Sequence, residues 1–417
     1  MGNNAVVVGA GIGGLAAAIG LRRVGWDVRV LERAPVLDDA GAGISLAANG
    51  IRALDALGVG AAVRAAGRGQ YTGGTRTPDG SWLARMDGAA LERALGTPIV
   101  GIPRATLHRL LRAALPPESV SVGVEVTDVD HSAPDRVHVR TRSVGASASP
   151  GLDADAGLEA RPEADAGLDA DLVVAADGVN SRTRAALFPD HPGPAYSGST
   201  VLRAITEPPL DLPTDFEITW GHGAEFGHIA FEDGRAEWHA VLNSPAGVRH
   251  ADPLAEVRRH FTGWHQPIAR LLDATRSEAV LHHDIHELRV PLPSFVSGRV
   301  ALLGDAAHAM TPNLGQGACQ ALEDAVVLAA ALAQGPDTAT ALAAYDAERR
   351  PRTRSVTVAA RKAGRMGQQL SRPAAVALRN AALRLAPSGM AVRMILRHAD
   401  WTPPPHPGVP SGASLVE

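Results

Sequence analysis

The run Val6-Val7-Val8-Gly9-Ala10-Gly11-Ile12-Gly13-Gly14 constrains this chain more than any other. A β-branched strand enters a glycine turn and leaves it as an Ala/Leu helix. Gly9 permits the tight turn, Gly11 lets backbone approach a pyrophosphate, and Gly14 lets the helix lie against the strand. The helix N-terminus there faces diphosphate charge. A second strand, Val28 to Leu31, ends in Glu32 at the spacing where a carboxylate takes the ribose hydroxyls of an AMP moiety. Together they predict a βαβ dinucleotide site. Glu32 favours a free 2'-hydroxyl, which argues against NADP here and leaves FAD and NAD both open.

At 417 residues and 45% hydrophobic, the chain supports two or three domains with genuine cores. Its 40 basic and 44 acidic residues give a charge of -4, which supplies no counterion-release term and excludes a general nucleic-acid binder. Cys319 is the single cysteine, so intrachain disulfides and cysteine-based metal sites are excluded. That suits a reducing, cytoplasmic setting. The uncharged first 21 residues lack the Lys or Arg of a signal peptide, and glycines interrupt them. Val6 stands where a myristoylation signal needs Ser or Thr. No run of about 18 apolar residues appears, so no integral membrane association is expected.

Strands alternating with Ala/Leu helices predict an α/β fold with a parallel sheet covered on both faces. Between Thr200 and Asn243 the pattern changes to alternating strands, and Asp233-Gly234 supplies hairpin chemistry. Strand-helix signals return at Arg299 to Leu332, so the antiparallel substrate domain is inserted into the first. The expected discontinuous nucleotide-binding domain takes 1–70, 99–186 and 282–350. The expected substrate domain takes 71–98 and 187–281, with C-terminal helices and a tail over 351–417. Residues 145–171 repeat an Asp-Ala-Gly-Leu theme and read as a low-complexity surface insertion. Ala374 to Arg397 has helical spacing with interspersed arginines and is expected to pack on the main body.

Far downstream, Arg299 to Leu303 forms a strand ending in Gly304-Asp305, and Met310-Thr311-Pro312-Asn313-Leu314-Gly315-Gln316-Gly317 opens a helix over Ala318 to Ala333. A simple NAD dehydrogenase has no need of a second cofactor-shaped turn, whereas a longer ligand with a polyol and a redox ring does. Asp305 is placed to accept ribityl hydroxyls. Backbone N–H groups of Gly315, Gln316, Gly317 and Ala318 are placed to meet the ring's anionic edge.

With Asp177-Gly178-Val179-Asn180-Ser181-Arg182-Thr183-Arg184, these segments resemble the single-component (group A) FAD-dependent aromatic hydroxylases of the para-hydroxybenzoate hydroxylase fold. The resemblance covers most of residues 1–350. It implies a Rossmann-like FAD-binding domain, bound FAD, and NADH or NADPH as a transient reductant. It also implies hydroxylation or epoxidation of an electron-rich aromatic or polyketide-like molecule with O2, through a flavin C4a-hydroperoxide. Asp177 and Arg184 then support FAD and the reductant, and Arg104 faces the ribityl and phosphate region. Ser45, Arg33 and Val126 stand where relatives touch the cofactor, mostly through backbone. Pro312 becomes a pocket wall beside the flavin, and no side-chain acid or base is assigned.

Arg203 sits where many relatives have Trp-Arg, to touch substrate or to brace the sheet. Relatives often carry Arg at the position of Glu225 and an aromatic at that of Glu237. Two carboxylates instead point away from a small anionic substrate and towards a neutral or amine-bearing one, with solvated rim carboxylates as the simpler alternative. His282, His283 and His286 with Asp284 fall on a strand whose neighbours face opposite ways, which argues against a metal site. His308 reads as a structural hydrogen-bonding residue. No Gly-x-Ser-x-Gly elbow and no Trp-x-Trp-x-Ile-Pro element occur, which sets aside a serine hydrolase and a flavin halogenase. A same-fold flavin dehydrogenase or reductase without oxygen transfer stays open.

Overall fold

A computed structural model describes residues 3–37, 42–144, 166–387 and 389–405. At its centre, Asn4–Val8 pairs in parallel with Asp27–Glu32 on one side and Leu172–Ala175 on the other. Val300–Leu302 and Val120–Val122 extend this sheet in parallel, and Val296–Ser297 closes one edge antiparallel, six strands in all. Ala5 to Val8 and Leu172 to Ala175 are buried throughout, as continuous apolar runs in a sheet covered on both faces must be. The helices Ile12–Arg23 and Gly317–Gln334 pack closely against each other, Gly13 facing Ala321 and Gly20 facing Ala325 and Ala329.

The second large sheet has seven strands in the order Leu281–Glu287, Ala195–Ile205, Ala236–Asn243, Ala224–Ala230, Phe216–Trp220, Gly73–Arg76, Trp82–Arg85. It is antiparallel except where Phe216–Trp220 meets Gly73–Arg76 in parallel. Ala224–Ala230 and Ala236–Asn243 form the expected hairpin, with Gly234 at φ +80 supplying the left-handed turn position. Strand alternation splits this sheet into two faces. Leu202, Phe226, Trp238 and Ala240 line one, packing on Leu254, Val257, Phe261 and Leu271 of two short helices. The other face meets a small sheet of Gly43–Leu46, Ile99–Pro103 and Arg68–Gln70. A Cβ on Gly43 would come within 2.7 Å of Glu237 Cβ, and one on Gly101 within 2.8 Å of Ile229.

Three sequence expectations are corrected here. The boundary at 282 falls inside a strand: Asp284 pairs with Thr200 and His283 with Val201, so the seven-stranded sheet runs on to Glu287. Segment 71–98 is not all in that sheet, because the helix Gly88–Leu95 buries Leu91 and Leu95 in the nucleotide-binding core. Residues 145–165 of the expected insertion lie outside the described residues. Its end is a strand, Ala166–Ala170, which pairs antiparallel with Val137–Ser143 and buries Ala170.

Thr338–Met366 lies along the Gly317 helix, followed by Pro373–Arg384 and Gly389–Ala399. Val376 and Arg379 pack inward, with Arg379 donating to the carbonyls of Met366 and Gly367, as expected for docking on the body. Residues 406–417 of the tail lie outside the described residues. No helix among the described residues is long and apolar enough to cross a membrane.

Candidate active site

The two turns predicted to share one ligand are neighbours. A Cβ on Gly13 would meet Leu303 Cδ2 at 2.7 Å and Ala321 Cβ at 3.2 Å, and one on Gly304 would meet Ala321 Cβ at 3.2 Å. The N-terminal glycine turn, the Gly304-Asp305 turn and the start of the Gly317 helix therefore close around one crevice. Gly14 is forced to be glycine by contact: its Cβ would fall 1.9 Å from the Gly9 carbonyl oxygen. Gly9 itself has φ +99 and passes against the Ala176 carbonyl.

The crevice fits a dinucleotide. Neither the Ile12 helix nor the Gly317 helix has a side-chain N-cap, which leaves their first amides for a ligand. A Cβ on Gly11, Gly178, Gly315 or Gly317 would meet nothing within 4 Å, so the chain keeps open space beside each. Glu32 accepts from the amides of Ala10 (2.8 Å) and Ala34 (2.9 Å), which fixes the carboxylate and leaves lone pairs for ribose hydroxyls. Arg33 lies in the field of Glu125, itself held low chiefly by its hydrogen bond with Arg142, on the strand Val124–Asp130 that carries Val126.

Arg104 opens the helix Arg104–Ala113, and its amide is anchored on the Ala42 carbonyl. Burial and Arg203 lower its pKa while Asp305 pulls the other way, so these three charges share the crevice. Asp305 reaches solvent, yet the protein walls around it raise its carboxyl, opposed by His308 and Arg104. No side-chain hydrogen bond or ion pair within the described residues is made by Arg104, Arg203 or Asp305. Ser45, by contrast, is tied to Gln70.

Asp177 and Arg184 are occupied within the protein. Asp177 accepts from Ser181 Oγ (2.6 Å) and from the Thr183 amide and hydroxyl (3.1 Å each), closing the loop around Gly178. Arg184, 3% exposed, donates to the carbonyls of Ala306 (3.1 Å) and Val179 (2.7 Å). It therefore ties the Asp-Gly loop to the residue after Asp305. Pro312 begins a 3-10 turn, Pro312–Leu314, capped by Gly315 at φ +62, and both Pro312 and Gly315 are exposed.

Sequence reading missed what stands behind this loop. Gln316 Oε1 accepts from Asn49 (2.8 Å) and Gln320 (3.1 Å), so its side chain points into the core and only its backbone can serve a ligand. Glu323, Asp324 and Arg349, all buried, continue the network to His308, whose Nε2 lies 2.6 Å from Asp324. His108 Nε2 meets the Ala10 carbonyl at 2.7 Å and steadies the glycine turn. Gln, Glu and Asp at i, i+3 and i+4 inside an apolar helix were the available signal.

On the inner face of the seven-stranded sheet, Arg203 stands directly opposite His239, and Gly227 lies opposite His239 on its other side. The expectation of solvated rim carboxylates is corrected: Glu225 is 6% and Glu237 2% exposed. Glu237 Oε2 lies 3.1 Å from His239 Nδ1, and Trp220 Nε1 donates to Glu225 Oε2 at 2.7 Å. Burial raises the Glu225 carboxyl against His239 and Trp220. His239 was not singled out in the sequence, although Glu237 and the period of two placed it on the same face. His282, His283 and His286 lie on the strand Leu281–Glu287, and no metal-holding group of side chains occurs among the described residues.

The family model described as FAD binding domain matches residues 3–360. The chain is 36% identical over 365 residues to an aurachin C monooxygenase/isomerase of Stigmatella aurantiaca, covering 87% of this chain and 89% of that one. It is 34% identical over 363 residues to an FAD-dependent urate hydroxylase of Klebsiella pneumoniae, covering 86% and 88%. The crystal structure of Klebsiella pneumoniae HpxO complexed with FAD and uric acid superposes with a TM-score of 0.84 at 28% identity, covering 95% of this chain and 96% of that one.

Proposed function

The chain belongs to the single-component FAD-dependent hydroxylases and is an FAD-binding monooxygenase, and from that premise we propose that it uses NAD(P)H and O2 to oxygenate an electron-rich aromatic or polyketide-like small molecule held against the inner face of the seven-stranded sheet. The observation that carries this reading is the convergence of Gly11, Asp305 and the Gly315–Gly317 turn on one crevice that continues, through Arg104, to Arg203.

FAD, when bound, supplies two-electron reduction by the nicotinamide and activation of O2 for transfer to the ring of the substrate. The chain's own work is placement. The amides at the start of the Ile12 helix take the diphosphate, and Glu32 takes the ribose hydroxyls. Asp305 and Arg104 line the polyol stretch. The amides from Gly315 to Ala318, at the positive end of an 18-residue helix, stabilise negative charge on the reduced ring. Arg33, Ser45 and Val126 contribute backbone to the nucleotide end, while Asp177 and Arg184 brace the loop below it. Pro312 forms the wall between cofactor and substrate, and the apolar residues Val201, Val241 and Ile218 help keep water from the reacting carbon.

Both sheet carboxylates are engaged by His239 or Trp220, which removes the case for an amine-bearing substrate. The test is direct. The purified protein is expected to be yellow, to consume NAD(P)H faster when substrate is added, and to place an atom from labelled O2 in the product. A product without added oxygen would assign it to flavin dehydrogenases of the same fold, and a colourless protein that takes up no FAD would overturn the reading.

A further inference from the structure

We propose that the groove between the helices Thr338–Met366 and Gly389–Ala399 binds the phosphate headgroups of anionic phospholipids and seats the protein on a bilayer surface. The inference goes beyond the oxygenation reading and uses no residue of the cofactor crevice or of the sheet beside it.

The charge pattern is written in the sequence. From Arg349 to Ala399 no Asp or Glu occurs while Lys and Arg recur throughout, in a chain whose net charge is -4. A helix face that only meets water ordinarily mixes both signs, with Glu set four residues from Lys or Arg. A block of one sign is the footprint of an oppositely charged partner.

The fold then sorts these cations. Arg349, Arg352 and Arg361 turn onto Glu323, Asp324 and Glu287. Arg354, Lys362 and Arg397 are exposed, and none makes a hydrogen bond or ion pair among the described residues. With Arg350 they line a groove of about 540 Å³. Arg350 has its own counter-charge in Asp346, at 3.2 Å, and no acid among the described residues lines the groove. His398, on the groove wall, registers the field: burial first, then Arg397 and Arg352, lower its pKa.

Aliphatic surface lies among these cations. Pro351, Val358 and Ala359 also line the groove. Val358 stands four residues from Arg354 and four from Lys362, and Met366 is the next residue in that row. Val358 is 41% and Met366 55% exposed. Exposed aliphatic groups spaced between cations on one helix suit a bilayer interface, where the aliphatic groups enter the headgroup boundary and the cations meet lipid phosphates. A nucleotide is matched less well, because no Trp, Tyr or Phe among the described residues lines the groove for a base to stack on.

The experiment is co-sedimentation of the full-length holoenzyme with vesicles of phosphatidylcholine, made with and without about one-third phosphatidylglycerol. The wild type should partition at least about tenfold more strongly onto the anionic vesicles, and less as salt is raised. Arg354→Gln/Lys362→Gln should weaken that partition about tenfold or more. Val358→Ser/Met366→Ser, at unchanged charge, should weaken it about fivefold. Arg112→Gln/Arg136→Gln removes two exposed cations elsewhere and should leave it as it was. Tm and FAD content, read in every sample, should match the wild type, because none of the altered cations has a partner to strand. Arg354→Lys/Lys362→Arg, which keeps both charges, should restore binding. Pyrophosphate and sn-glycerol 3-phosphate, at the phosphate concentration of the vesicles, should displace nothing. Their displacing the protein would assign the groove to a soluble anion and overturn the proposal. Equal partition onto neutral vesicles, equal losses in the groove pair and the distant pair, or no loss in the aliphatic pair would overturn it as well. All of these outcomes leave the monooxygenase reading standing.

Discussion

Arg349 holds Glu323 and Asp324 in a single buried fork. Its Nη1 donates to Glu323 Oε2 at 2.5 Å and its Nε to Asp324 Oδ1 at 2.7 Å, and none of the three side chains is exposed. The fork reaches both cofactor turns. Asp324 Oδ2 accepts from the Gly304 amide at 2.9 Å, and Glu323 Oε1 from Asn49, which also holds Gln316. Burial works against the Asp324 charge, yet His308 and Arg349 hold its carboxyl down to about 2.

Arg349→Met should therefore destabilise the fold by about 3 kcal/mol, because it breaks two fully buried ion pairs, while Arg352 still holds Glu323 and His308 still holds Asp324. Urea unfolding would read the loss. Arg349→Lys should recover only part, since an ammonium cannot span two carboxylates as the planar fork does. Both variants should hold FAD more weakly. Unchanged FAD retention in the destabilised Met variant would sever the network from the cofactor turns.

Gly11 and Gly14 separate binding from folding. A Cβ on Gly11 meets nothing within 4 Å of the chain, so Gly11→Ala should leave the apoprotein's Tm unchanged while FAD affinity falls about tenfold or more. A Cβ on Gly14 collides with the Gly9 carbonyl oxygen at 1.9 Å, so Gly14→Ala should lower Tm itself. Thermal melts with and without added FAD distinguish the two.

The nucleotide half was legible because its constraints are local. A turn that admits only glycine, and apolar runs of strand length, are written in adjacent residues. The substrate half was half legible: the alternation and the Asp233-Gly234 turn announced the hairpin, yet register decides which residues meet, and register is a property of pairing. Arg203 opposite His239 depends on strands more than 30 positions apart. The boundary at 282 failed for the same reason, since the strand that carries His282 to His286 was legible but its pairing of Asp284 with Thr200, which assigns it to the seven-stranded sheet, was not. The Glu323–Asp324–Arg349 fork was hidden because charges on an apolar helix show neither burial nor partner until the second helix arrives.

Arg203→Gln should leave Tm and FAD content unchanged, because the guanidinium has no partner within the described residues for its loss to strand. If Arg203 holds substrate, KM should rise about 10- to 100-fold, the value of one hydrogen bond to a charged group. A role as sheet brace would instead appear as a lower Tm with KM unmoved.

The outer face of the same sheet makes stability depend on pH. His228, 2% exposed, sits against Thr214, and burial first, with the fields of His239, His265 and Arg76, lowers its pKa from 6.5 to about 4. Between those values the unfolded chain binds a proton that the native state refuses, so stability must fall as pH drops from about 6.5 and the loss must level off near 4. The full effect is about 3 kcal/mol. Asp324 acts with the usual carboxylate sign, but only lower: its contribution is complete above about 4 and disappears as pH approaches 2. His239, raised, acts only above 6.5, where stability gained from its ion pair is lost as pH rises through its folded pKa. The windows do not overlap, so stability should peak near pH 6.5. His228→Gln, which can still hydrogen-bond Thr214, should flatten the slope between about 4 and 6.5 while leaving the acid limb and the alkaline limb in place. Urea midpoints measured across pH 3 to 9 would show an unchanged slope in that interval if another group were responsible.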